Sequence, residues 1–563
     1  MKFKALGVTC RKWAMAAGIG LAAQASAQPP AVQFSADAFR AHVAFLADDL
    51  LEGREAGSRG YDLAARYVAS QFEALGLEPA AGGNWLQGVQ FVHFATAGTP
   101  RLTVGGRVFR HGEEMVVRPS PDPAPTSLEA PLVFAGYGLD LPARGFDDYD
   151  GLDVSGSIVV VLNGTPRGTP SDVAAHLNAE KARMAARRGA VGLIVVRTGR
   201  DAEALPWTRY RSLADRPGTT WIDAQGRPHL PHDLRFTATV EESAAAAMFA
   251  GSGQSLRRIL RQARRRDGRP AGMALAQAAR FEREGASVTP FASSNVVALL
   301  PGSDPAVADE PVLLMAHLDG LGLRPAAADG TAAEDRIRNG AMDNATGVAT
   351  LIEVAGQMSR PGNRPRRPVL FAAVTAEEVG LLGAEYLARN PVTRAGIVAV
   401  VNLDMPVLTY DFRDVIAFGA EHSTLGPIVA RAAARMGVTL SPDPLPHEGL
   451  FTRSDHYKFV REGVPAVFLM TGFAGEGRRR FTAFLDEHYH GPSDDLAQPF
   501  DWNAGARFAQ LNYLIAREIA DSGEVPLWYA DSFFGAAFGG DRRRAERPAA
   551  EAQAAARRPD QSR

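Results

Sequence analysis

Residues able to hold a metal stand where apolar runs of this chain stop. VLLMA ends in His317-Leu318-Asp319, VLFAAVTA in Glu377-Glu378, and IVAVVNL in Asp404. Between the first two, NGAMDNATG places Asp343 in a loop that opens a helix, and EHYHGPSDD supplies His490 downstream. Taken singly, each signal has an ordinary structural reading. An H-x-D triplet is commonly a hydrogen-bonded pair, adjacent glutamates a solvated helix face, and an aspartate after a strand a turn or cap residue. Taken together and in order, they supply two imidazoles and several carboxylates, the donor set for two divalent metals sharing a carboxylate.

The elements that must position these groups follow from the same runs. From about Ser293 to Ser522, short apolar runs alternate with helical stretches such as ATGVATLIEVAGQM and GLLGAEYLARN. That alternation predicts an α/β domain, a mixed and mostly parallel sheet flanked by helices. Ligands of open α/β sheets bind outside the carboxyl ends of the strands, so the polar groups could converge on one crevice. Residues 36–77 carry apolar positions at helical spacing around a Gly-rich break, GREAGSRG, and residues 85–117 read as short strands and turns. The Pro-rich patch at 119–131 reads as a linker. From there to about residue 285 the chain reads as an inserted β-rich module with one long helix and no cluster of metal ligands.

Length and composition bound the rest. The 563 residues have room for two to four domains, and 46% hydrophobic with 22% charged residues is ordinary globular composition. With 61 Lys+Arg against 63 Asp+Glu, the chain lacks the basic excess of a nucleic-acid binder. A single cysteine excludes a disulfide scaffold and any cysteine-built metal site. Lys2, Lys4, Arg11 and Lys12 precede an apolar run to Ala23 and the small residues Ala25-Ser26-Ala27, the layout of a secretory signal peptide over 1–27. Cys10 lies before the apolar run, whereas a lipid-modified cysteine would follow it. Cleavage after Ala27 would leave 57 basic against 63 acidic residues and no cysteine. No later stretch is long and apolar enough for stable membrane insertion. The tail over 540–563 is rich in Arg and Ala, cannot bury a face, and is expected to be disordered.

HLDGLG, NGAMDNATGVA, TAEEVGLLGAEYL, VNLDM and HYHGPSDD, in that order, resemble the two-zinc aminopeptidases of metallopeptidase family 28. The inserted region is similar to the protease-associated (PA) domain. The resemblance divides the chain into a peptidase domain over 36–118 and 286–525 and a PA-like insert over 127–285. It implies the zinc aminopeptidase-like fold and two zinc ions per chain. His317 and Asp404 would hold one ion, Glu378 and His490 the other, and Asp343 would bridge them. Asp319 would orient the His317 imidazole from the outer shell, and Glu377 would be the general base, taking a proton from a metal-bound water and returning it to the leaving amine. Arg453, Asp455 and Tyr489 are candidate substrate contacts, each with an alternative as a loop, capping or packing residue. His488 is not expected to be a ligand. Two departures from the related pattern, Gly320 where many relatives have a second His and Met342 before Asp343-Asn344 where many have Asp, touch the outer shell and leave the ligands in place.

The function so implied is an exported zinc-dependent aminopeptidase, periplasmic or secreted, acting on peptides. One alternative is a carboxypeptidase of the same fold acting on acidic dipeptides, which needs basic groups in the cleft. Another is a one-zinc glutaminyl cyclase, disfavoured by the full ligand set. The third is an inactive binding protein, which should have lost ligands or the base. Side-chain preference, native metal and oligomeric state are not readable.

Overall fold

A computed structural model describes residues 33–325 and 335–549. The expected signal peptide and residues 550–563 of the expected tail lie outside the described residues. The main sheet has ten strands. Besides the short strand Glu78–Pro79 these are β1 (Leu86–Thr96), β2 (Gly218–Trp221), β3 (Ala286–Leu300), β4 (Val312–His317), β5 (Val369–Val374), β6 (Ala399–Leu403), β7 (Asp414–Phe418), β8 (Thr439–Ser441) and β9 (Ala466–Thr471). Their order is β2-β1-β3-β5-β4-β6-β9-β7-β8.

The central run β5-β4-β6-β9 is parallel, and antiparallel pairs join it to β3 on one side and β7 on the other. Every residue of β4, β5, β6 and β9 is buried, which is why these strands read as unbroken apolar runs rather than alternating ones. Helices α1 (Ala36–Leu46), α2 (Arg59–Ala74), α3 (Ser171–Arg187), α4 (Thr346–Met358), α5 (Leu382–Arg389), α6 (His456–Arg461), α7 (Trp502–Asp521) and α8 (Phe533–Phe538) matter most here. Of these, α1, α4 and α7 pack on one another and α4 and α7 on β4, while α6 packs on β9 and α5.

An eight-stranded second sheet runs in the order 107–110, 101–104, 273–283, 126–134, 158–162, 192–196, 236–240, 115–117. Helix α3 makes the crossover between its parallel strands Ile158–Leu162 and Gly192–Val196. Val133, Tyr149, Val159, Val161 and Leu193 form part of its own core.

The insert differs from expectation at its edges. Residues 101–117, expected in the peptidase domain, form three strands of the second sheet. The junction lies where β1 and β3 part, at the pair Thr96↔Ala286, so the Pro-rich patch is internal to the module. Conversely β2, within the insert, returns to pair with β1 at the edge of the main sheet.

The start of the tail is also ordered, against expectation. Ala545 exchanges backbone hydrogen bonds with Trp528 and Ala530. Arg547 binds Asp531 through two contacts of 2.8 and 2.9 Å and lies over the Tyr529 ring. Guanidinium contacts replace the apolar burial that the composition lacks.

Candidate metal centre

His317 is the last residue of β4, Asp404 follows β6, and Glu377 and Glu378 follow β5 by three and four residues. All leave the same end of the parallel run. Asp343 lies in the distorted turn Ala341–Ala345 that leads into α4. Gly347, in the first turn of α4, passes so close to this turn and β6 that a Cβ would collide with Asn344 Oδ1 and Leu403 O. The Asn344 amide donates to the carbonyls of His317 (3.3 Å) and Leu403 (2.9 Å), fastening the turn to β4 and β6.

The five expected ligands converge as two sets that share Asp343. His317 Nε2 stands 3.1 Å from Asp343 Oδ1 and 3.2 Å from Asp404 Oδ1. His490 Nε2 stands 3.4 Å from Asp343 Oδ2 and 3.3 Å from Glu378 Oε2. The two oxygens of one carboxylate thus face different imidazoles, the arrangement a bridging ligand requires. Burial lowers the pKa of His317, but Asp404, Glu377 and the contact with Asp343 outweigh it and hold the imidazole well above its ordinary value. Nε2, the atom a metal would bind, thus faces two carboxylates. The donors are imidazole and carboxylate only, which fits zinc. His317 Nδ1 lies 3.1 Å from the carbonyl of Asp319, which leaves Nε2 for a metal.

Asp319 is corrected in role. Its carboxylate does not touch the imidazole. It accepts from the backbone N–H of Glu377 (3.1 Å) and Glu378 (3.3 Å), so it holds the turn that carries both glutamates. Ala376, Met405 and His490 adopt φ of 56°, 41° and 60°, a left-handed conformation costly for residues with a side chain and concentrated here at the ligand-bearing turns. Burial, with the charges of Asp404, Glu378 and Asp455, pushes the Glu377 carboxyl well above the ordinary range despite His317.

Glu377 lines one pocket with His317, Asp343, Asp404 and His490, walled by Met405, Leu450, Phe468 and Met470. Two of the three candidate substrate contacts are also there. Arg453 stands at the rim, its guanidinium 3.2 Å from Glu448, and the Tyr489 ring stacks on His490 at 3.7 Å. Asp455 is corrected: it is fully buried and does not line the pocket, so it cannot meet substrate there. His488 faces Ser493 at 3.0 Å.

Three supporting residues were not singled out from sequence. Asp494, within the HYHGPSDD motif, accepts from the N–H of Met342 (2.8 Å) and Asp343 (3.0 Å) and holds the turn that carries Asp343. Ser454 donates to Asp404 Oδ2 at 2.5 Å. Arg54, in the GREAGSRG break, is buried and donates to the carbonyls of Leu46, Leu318, Asn339 and Gly340. Its only sequence signal was an arginine in a Gly-rich segment.

This fold sets paired histidine–carboxylate groups at the carboxyl ends of its strands, a donor set suited to zinc. Residues 295–516 match the model of peptidase family M28 and residues 128–222 that of the PA domain. The chain thus carries a region similar to peptidase family M28, preceded by a region similar to the PA domain. It is 25% identical over 499 residues to the Probable lipoprotein aminopeptidase LpqL of Mycobacterium tuberculosis, covering 85% of this chain and 81% of that one. To Leupeptin-inactivating enzyme 1 of Streptomyces exfoliatus it is 30% identical over 183 residues, 32% of this chain and only about a third (36%) of that protein's length. Among solved structures, the aminopeptidase from Aneurinibacillus sp. strain AM-1 shares the fold at a TM-score of 0.50 and 20% identity, over 88% of this chain and 96% of that one. Among the described residues, no helix is long and apolar enough to cross a membrane.

Proposed function

We propose that this chain is an exported aminopeptidase that holds two zinc ions and removes N-terminal residues from peptides. The observation that carries this reading is the sharing of Asp343 between two histidine–carboxylate sets beside Glu377. His317, Asp404 and Asp343 would hold one ion, and His490, Glu378 and Asp343 the other. Bound zinc supplies Lewis acidity, polarising the scissile carbonyl and acidifying water. Glu377 accepts the proton of the attacking water and delivers it to the leaving amine. Its buried setting and anionic neighbours raise its carboxyl above the ordinary range, which makes the ionised form a stronger base toward that proton. Asp319 keeps Glu377 and Glu378 on divergent courses by tying both backbone N–H groups. Tyr489, stacked on His490 at the pocket wall, would hydrogen-bond the substrate's carbonyl oxygen as charge develops there.

The apolar wall of Met405, Leu450, Phe468 and Met470 suits an uncharged N-terminal side chain. The cation expected of a carboxypeptidase for acidic dipeptides, Arg453, is paired with Glu448. Retention of all five ligands and Glu377 weighs against an inactive binding protein. The leader-like residues 1–27 and the likeness to a protein named as a lipoprotein aminopeptidase support export. Metal content measured together with cleavage of free-amine and N-blocked peptides tests the reading. About two zincs per chain with cleavage only of free-amine peptides is expected. Cleavage from the carboxyl end would overturn the specificity, and properly folded protein with no metal and no turnover would overturn the enzyme.

A further inference from the structure

The PA insert touches the segment that walls the metal pocket through one helix face. Asp172, His176 and Glu180 are spaced by four residues on α3 and so project from the same side. Each meets a residue of the peptidase domain. Asp172 Oδ2 lies 3.4 Å from His422 Nε2, His176 Nδ1 shares a 2.5 Å hydrogen bond with the Tyr457 hydroxyl, and Glu180 Oε1 lies 3.0 Å from Arg461 Nη1. Between the first two, Ala175 approaches Gly449 so closely that a methyl group there would stand 3.0 Å from the Ala175 Cβ. Gly449 has φ 59°, a second reason for glycine at that point.

These contacts all fall on or beside a single stretch, residues 446–461, that runs from the pocket wall into α6. Leu450, Arg453 and Ser454 of this stretch line the pocket. Phe451 is fully buried among His422, His456, Tyr457 and Phe534, with ring centroids 4.9 to 6.0 Å away, and His176 packs edge-on against Phe533, Phe534 and Phe538 of α8. The metal ligands, by contrast, leave the parallel core and its own turns. None of them belongs to the stretch that α3 grips. A shift of α3 would therefore act first on one wall of the pocket, and would reach the expected zinc-binding groups only through the hydrogen bond from Ser454 to Asp404.

We propose that α3 is a positioning element of the active site. Through Asp172, His176 and Glu180 it sets the place of Leu450 and Arg453, and so the room available to the substrate's N-terminal side chain. This rests on the aminopeptidase reading above. The PA insert would then govern which N-terminal residues are accepted, and not the hydrolytic step.

The test uses the full, zinc-loaded chain and the 4-nitroanilides of alanine, leucine and phenylalanine. His176→Leu is expected to raise KM for the leucyl and phenylalanyl substrates about tenfold. It should leave kcat, zinc content and the constants for the alanyl substrate within about twofold. His176→Asn, whose amide can replace Nδ1 as the partner of Tyr457, should restore the wild-type ratio between substrates. An equal loss on all three substrates through kcat, or no change in their ratio, would overturn the proposal. If His176→Leu does not fold, Glu180→Gln is judged by the same ratio, with a change of about threefold expected and an unchanged ratio overturning. If the wild type cleaves none of the substrates, the activity reading fails separately. The affinity ratio of leucine hydroxamate to glycine hydroxamate, measured by calorimetry in wild type and variant, then decides the positioning role: a changed ratio supports it and an unchanged one overturns it.

Discussion

The carboxylate of Asp319 accepts a hydrogen bond from the backbone N–H of Glu377 at 3.1 Å, and its second oxygen accepts from Glu378 at 3.3 Å. A residue two positions beyond one ligand strand thereby anchors the turn at the end of its neighbour. His317↔Val374 is the last pair of the β4–β5 ladder, which brings both turns to the same level. Asp319→Asn turns one of the two acceptors into a donor that faces an N–H. The expected outcome is a fall in kcat of about 10²-fold, because a misplacement of the base near 1 Å has that effect. Steady-state kinetics checks this. An undiminished kcat combined with weakened zinc would instead restore the role of orienting His317.

Glu377→Gln keeps the shape of the side chain and removes its ability to take a proton. Zinc content should stay at the wild-type value, while kcat should fall by about 10²–10⁴-fold. Metal analysis and kinetics on the same preparation separate the two. Loss of zinc would show that the adjacent glutamates have exchanged roles.

Asp343 is the one residue common to both ligand sets, so Asp343→Ala should empty both sites together. Glu378→Ala should weaken only the set that contains His490. Zinc stoichiometry after dialysis distinguishes them, and retention of two tightly held zincs in Asp343→Ala would exclude the bridging role. Because metal bound to the native state stabilises it by mass action, Asp343→Ala should also lose the rise in Tm that added zinc gives the wild type.

The convergence of the candidate ligands was legible because strands buried on both faces read as apolar runs, and the first polar residues after such runs fall at one end of the sheet. His317, Glu377, Glu378 and Asp404 all announce themselves in this way. The target of the Asp319 side chain was not legible, since it depends on how two loops from different strands meet. Nor was the edge of the insert: β1 and β3 form one continuous ladder through the junction, while the Pro-rich patch that looked like a linker lies within the module. Residues 101–117 alternate like any antiparallel strand and carry no mark of which sheet they join. Arg54 illustrates the limit most clearly, because two of the carbonyls it serves lie 285 and 286 residues away.

Arg54 itself supports a prediction about stability. Its fully buried guanidinium ties the first helix, the loop after β4 and the loop before Asp343 through four carbonyls. Burial pulls its pKa down to about 10, against the opposing influence of Asp494, Asp319, Asp343 and Glu378, so it remains charged at neutral pH. Arg54→Met would leave those carbonyls unpaired and remove a cation from among buried carboxylates, at a cost of about 3–5 kcal/mol. Urea denaturation of the zinc-loaded protein should show a lower midpoint with an unchanged slope. Arg54→Lys should recover only part of the loss, because an ammonium has three donors in place of a planar fork. Equal stability of wild type and Arg54→Met would contradict this account.

Glu385 on α5 supplies the pH prediction. Its carboxylate lies 3.7 Å from His229 of the insert and 3.5 Å from Lys458 of α6, with Arg389 at 3.9 Å. Burial would raise its pKa, but His229, Lys458 and Arg389 prevail and bring it from 4.5 to about 2. A carboxylate depressed in the folded state contributes stability that is fully present above its unfolded pKa and is lost as pH falls through the folded one. The contribution is on the order of 3 kcal/mol. The stability advantage of wild type over Glu385→Gln should accordingly be fully present near pH 5–6 and shrink steadily as pH drops from about 4.5 toward 2. Comparing the two proteins at each pH cancels the loss of zinc, which both share, and denaturant titrations at pH 6, 4.5 and 3 are sufficient. A gap between the two proteins that did not narrow at pH 3 would place the stabilisation elsewhere than in this ion-paired carboxylate.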